Sequence, residues 1–194
     1  MIRFQKRVIV ALAVSAIMVS CNSDEADQTS DNREPGNTDT IGTGATNNNN
    51  LDNADADFLS EAAYSGLREI EAGKAAQSRA GSNEVRELAK TMVTDHTAMG
   101  EKVKSLAARK NVALKDSLSA EDRDIIQNNK KKGKAFDREY TEMMVDDHER
   151  AVRRFESAAN TSRDPEVKAL ATEALPKLRE HLEMSRRVRD KVKG

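Results

Sequence analysis

TMVTDH occupies residues 91–96, and MMVDDH occupies residues 143–148. The chain has three histidines, and two of them close these near-copies of Met-Val-x-Asp-His. Reading outward from the first copy, apolar residues recur at Val85, Ala89, Met92, Met99, Val103 and Leu106, in steps of four and three, with His96 inside the series. Such spacing places all of them on one face of an α-helix, so His96 stands where a core aliphatic belongs. Around the second copy the stripe reads Tyr140, Met144, His148, Ala151, Phe155 and Ala158. The third histidine obeys the same rule, in Val167, Leu170 or Ala171, Ala174, Leu178, His181, Ser185, Val188 and Val192.

A fourth stripe lacks a histidine but carries a carboxylate: Phe58, Ala62, Ser65, Glu69, Ala72, Ala76. Leu59, Ala63, Leu67 and Ile70 compete for the same face, and Glu71 lies close by. The expected helices run over residues 54–79, 83–110, 134–160 and 165–192. Ser119 caps an extra short helix before helix three, and Gly133 breaks the chain ahead of it. Asp164 followed by Pro165 is a strong start for helix four. No segment alternates with period two, so no sheet is expected. The expectation is an all-α, ferritin-like antiparallel four-helix bundle running up-down-up-down with short connections. The middles of its helices then share one level.

The N-terminal residues speak for the compartment. Arg3, Lys6 and Arg7 precede an apolar run over residues 8–19 that is too short for a permanent membrane span. Residues 1–20 read as a lipoprotein signal peptide. The only cysteine, Cys21, is the expected lipidated first residue of the mature chain. Asn22 after it favours the outer membrane, with the periplasmic face and the cell surface both open. Residues 21–53 are a polar tether, unable to bury enough surface to offset its ordering entropy. The expected partner is thus a membrane, met through a lipid anchor. The remaining domain, 54–194, is rich in Ala, Leu, Glu, Lys and Arg; the whole chain has no tryptophan and a formal net charge of −1.

DADFLSEAAYSGLREIEAGKAAQSRA (55–80), VRELAKTMVTDH (85–96), FDREYTEMMVDDHERAV (136–152) and ALATEALPKLREHL (169–182) together resemble the bacterial domain of unknown function 4142 family. The resemblance covers about Asp55 to His181 and none of the tether. It implies a ferritin-like helical domain of secreted or envelope-anchored type, and no established activity.

Burying an imidazole without a partner costs on the order of 1 to 3 kcal/mol, so three in one core need an account. In one reading His96, His148 and His181, with Glu69 as a fourth ligand, hold one zinc, copper or iron ion. Asp95 and Asp147 would then orient neighbouring imidazoles. In the other, Glu69 and the histidines form a hydrogen-bonded packing network with Tyr64 or Tyr140 and hold no ion. That second reading makes the protein a non-enzymatic structural or stress-related module. A di-iron site is not expected, because the residues three before each histidine are Val93, Val145 and Leu178 rather than Glu. Met92, Met99, Met143 and Met144 read as core filler, although Met92 and Met144, one turn before histidines, keep copper among the candidates. No phosphate loop, catalytic serine arrangement or catalytic cysteine is present. Lys130, Lys131, Lys132 and Lys134, like the basic stretch from Arg186 to Lys193, have no aromatic platform beside them, which argues against nucleic acid. Pro176 inside helix four is expected to kink it near His181.

Overall fold

A computed structural model describes residues 51–194. The expected signal peptide, Cys21 and all but the last residues of the tether lie outside the described residues. Five helices follow in order: α1 (Asn53–Arg79), α2 (Asn83–Arg109), α3 (Ala120–Gln127), α4 (Lys134–Thr161) and α5 (Pro165–Lys193). No strand occurs among the described residues, only an isolated bridge between Ala80 and Gly133.

Local chemistry accounts for the boundaries. The side chains of Asp52, Ser82, Ser119 and Asp164 each accept a backbone N–H of the helix they open, offsetting donors that have no partner inside the helix. Helix α4 opens instead on Gly133 at φ 61°, a conformation that disfavours a side chain. Pro176 does not interrupt α5, which runs continuously across it. Both Pro176 and Thr172, whose carbonyl loses its donor, are on the exposed side, where water can satisfy it.

The four long helices pack as two hairpins, α1 with α2 and α4 with α5, joined by contacts of α1 with α4 and α2 with α5. Every apolar position of the four stripes is buried or partly buried. Two apolar clusters result. One gathers Phe58, Leu59, Val103, Leu106, Phe155 and Leu170, with the Phe58 and Phe155 rings edge to face at 4.9 Å. The other gathers Ala76, Val85, Leu88, Met92, Tyr140 and Met144. Truncating a fully buried member such as Leu59 to alanine costs about 2–5 kcal/mol. Along every helix, the Glu69 or histidine position falls between the residues of these two clusters.

The chain path departs from the up-down-up-down expectation. Asp137, in the first turn of α4, accepts from Gly81 N and Ser82 N (both 2.9 Å), where α1 ends and α2 begins. At the opposite end, Asp55 of α1 accepts from Ser162 Oγ (2.9 Å) and Asp164 N (3.3 Å), and Lys110 meets Asp164 at 2.6 Å. Helix α4 therefore starts at the end that α2 has left, and α2 and α4 run in the same direction. Residues 110–133 return along the length of the bundle. Their helix α3 is tied to α1 by Tyr64 Oη donating to Asp122 (2.5 Å), Arg68 pairing with the same carboxylate (2.9 Å) and Arg79 donating to the carbonyls of Ile126 and Gln127. Hydrophobic periodicity is blind to helix direction, which is why the connection escaped it. Because the polar positions lie mid-helix, reversing α4 leaves their level unchanged.

Candidate metal centre

Glu69 of α1, His96 of α2, His148 of α4 and His181 of α5 meet between the two apolar clusters. Their exposures are 2%, 7%, 0% and 2%, which removes them from water almost completely. The three imidazoles present donor atoms that lie within 4.8 Å of one another. Their ring centroids are 5.3–5.5 Å apart. His96 Nε2 and His148 Nε2 are 3.4 Å apart, and Glu69 Oε2 is 2.8 Å from the first and 3.4 Å from the second.

Hydrogen bonds at the periphery set which ring atoms face the middle. His148 Nδ1 lies 2.9 Å from the carbonyl of Met144, which can only accept, so Nδ1 carries the proton and Nε2 offers a lone pair inward. His181 Nε2 donates to Asp95 Oδ2 at 2.8 Å, leaving Nδ1 as its lone-pair atom. That Nδ1 has no hydrogen-bond partner. Neither has Glu69 Oε2, whose short approach to His96 lacks hydrogen-bond alignment. His181 Nδ1 thus receives no proton from the protein, and Glu69 Oε2 meets only the poorly aligned His96 Nε2, an arrangement that an ion would complete.

Electrostatics hold the carboxylate charged. Burial pushes the Glu69 carboxyl up, but the facing His96, His148 and His181 outweigh it and bring it down to about 2. Burial lowers the His96 imidazolium, and Glu69 more than reverses this, so its pKa is raised. His181 is driven down to about 4 by burial, only partly opposed by Asp95, and is neutral at pH 7. The ionised Glu69 and neutral His181 are in the protonation states a metal needs from its ligands, whereas His96 would have to give up the proton that Glu69 favours on it.

The remaining expected residues divide. Asp95 touches His181, across the α2–α5 seam rather than its own neighbour His96, and is 3.7 Å from Lys177. Asp147 touches no imidazole; it pairs with Arg68 at 2.7 Å and with Arg150. Tyr64 bonds Asp122 and the Ser119 N–H, outside the layer. Tyr140 is buried with no hydrogen-bond partner, so neither tyrosine joins the expected Glu–His network. Arg68 was not foreseen. It bridges Asp122 of α3 to Asp147 of α4, beside Glu69 and His148 in sequence, and the nearest signal was its place next to the seam carboxylate.

Residues 42–188 match the family described as "Domain of unknown function (DUF4142)". The chain belongs to the DUF4142 family. Comparison with curated proteins returns no match. Among solved structures, this DUF4142 chain is similar to the crystal structure of a DUF305 fragment from Deinococcus radiodurans, with a TM-score of 0.62 and 14% identity over 73% of this chain and 99% of that one. At that identity the likeness is one of fold. Family and neighbour leave the chemistry of the DUF4142 layer to be argued from its own residues.

Proposed function

We propose that this chain is a lipid-anchored protein of the bacterial cell envelope whose ferritin-like antiparallel four-helix bundle holds a single metal ion on His96, His148, His181 and Glu69. The observation that carries the proposal is the buried His181 Nδ1 without a partner, together with a Glu69 Oε2 that has no well-aligned donor and an inward-facing Nε2 on His148. Three imidazoles and one carboxylate suit zinc, copper or iron, and Asp95 supports His181 as outer carboxylates support metal-bound histidines. The expectation against a di-iron site stands on the same residues, since the layer supplies one carboxylate where such sites take several. Anchoring through Cys21 at the outer membrane remains the reading of the leader residues. No helix among the described residues is long and apolar enough to cross a membrane.

A second reading rests on the raised His96 and lowered Glu69 pKa values: an imidazolium–carboxylate pair that fixes helix register without an ion. Elemental mass spectrometry of the untagged full chain separates the two. About one equivalent of one metal, absent from His148→Ala, is expected; metal-free protein whose melting ignores zinc, copper and iron would leave the packing pair.

A further inference from the structure

Two hydroxyls beside the layer are buried and unused. Ser185 is 0% exposed and Tyr140 1%, and neither oxygen has a protein partner. A hydroxyl within a helix ordinarily turns back onto a carbonyl of the preceding turn. Thr97, Thr141, Thr161 and Thr172 all do so here, onto Val93, Asp137, Ser157 and Lys168. Ser185 does not. It follows His181 by one turn on the same buried stripe, and Cα–Cβ bonds lean toward the helix N-terminus, back toward that histidine. Tyr140 precedes His148 by two turns on α4 and lies close enough to feel the Glu69 charge, which together with burial holds its phenol protonated. Its outer side lines a cleft of about 30 Å³ with Ala72, Ile126, Phe136 and Met143, room for a water-sized molecule.

From these idle hydroxyls beside a cluster of metal-ligating side chains we infer that the ion keeps a coordination position for a small exogenous ligand, water or hydroxide exchangeable for an inorganic anion, hydrogen-bonded by Ser185 and Tyr140. The inference rests on the metal-binding reading above. No bond within the protein changes: the anion enters as the water leaves, and both hydroxyls donate to it.

Cobalt(II) is the probe, because its visible bands report coordination number and it accepts the same ligands as zinc. Cobalt is titrated into the full chain, then sodium azide, with His148→Ala as the control for site occupancy. Azide is expected to shift the bands saturably. Ser185→Ala is expected to weaken azide about tenfold, the worth of one hydrogen bond to a charged group, and Tyr140→Phe to weaken it less. Bands that ignore azide, or an azide affinity equal in wild type and both variants, would overturn the inference while leaving the metal reading intact. Absence of any His148-dependent cobalt spectrum overturns both.

Discussion

Asp137 and Glu69 are carboxylates buried to the same degree, 2% exposed, in the same bundle. Asp137, at the end, receives two backbone N–H groups and closes the turn between α1 and α2. Asp55 at the other end is likewise met, by Ser162 Oγ and Asp164 N. In the polar layer and the turns beside it, Glu69 Oε2, His181 Nδ1, Ser185 Oγ and Tyr140 Oη are without a well-formed hydrogen bond. Among the described residues, the fold satisfies the buried carboxylates at its ends and leaves these groups open in and beside the layer. Since each open group costs about 1–3 kcal/mol, a level retaining several of them has a use other than packing.

The largest effect should come from filling that level. An ion at about a thousand times its Kd stabilises the folded chain by about 4 kcal/mol, read as a rise in melting temperature with added metal. His148→Ala should abolish the rise. His148→Leu sharpens the test: its metal-free melting point should be close to or above that of wild type, because an apolar residue replaces a polar group in an apolar setting, while its response to metal disappears. Equal responses in wild type and His148→Leu would remove the distinction between the middle and the ends.

Asp137→Ala probes the satisfied end. It strands two backbone donors at a helix start, for an expected loss of about 2–3 kcal/mol in urea unfolding. Metal-induced stabilisation should persist in this variant. A loss of metal response would mean that the capped end and the open layer are one system.

The layer was legible because a histidine in an otherwise apolar stripe breaks a pattern carried by many residues, and three such breaks fell mid-helix. Helix one was harder to read. Leu59 and Glu69 are both buried, so its core face is wider than one stripe, and only the packing against three other helices decides between Glu69 and the partly buried Glu71. What escaped sequence reading is contact between distant segments. Asp137 caps a helix start that lies more than fifty residues earlier, and Tyr64 and Arg68 reach an aspartate of α3. No local spacing encodes such pairs. The same holds for Asp95, which supports His181 on α5 rather than a residue of its own helix.

Acid should separate the ends from the middle more gently. Burial raises the Asp164 carboxyl, but Lys110 and the N–H groups of Val167 and Glu166 outweigh it, leaving its pKa below 3.8. A depressed folded pKa means that its stabilisation is present above the unfolded value and is lost as pH falls through the folded one. Asp164→Asn keeps a capping oxygen and removes the charge. Unfolding free energy measured from about pH 5 to about pH 3 should therefore fall less steeply in Asp164→Asn than in wild type. Identical slopes would show that the Asp164–Lys110 end contributes nothing to acid sensitivity.

Glycines offer the smallest and most local comparison. A Cβ on Gly73 would meet Val93 Cγ2 at 2.7 Å and the Ala89 carbonyl at 3.1 Å, so α1 and α2 approach one turn from Glu69 only because no side chain is there. Gly73→Ala should cost about 1–3 kcal/mol through overpacking and, by prising α1 from α2, should also weaken metal response. Gly66 and Gly100 lie in the same two helices with nothing within 4 Å of an added Cβ. Alanine there removes backbone freedom from the unfolded chain and meets no neighbour, for an expected gain of about 0.5–1 kcal/mol each, additive in the double variant. Urea midpoints at constant slope measure both signs. If Gly66→Ala and Gly100→Ala destabilise the chain as Gly73→Ala does, the α1–α2 pairing near Glu69 is tighter along its whole length than these spacings describe, and the layer is held by that seam rather than by its own four side chains.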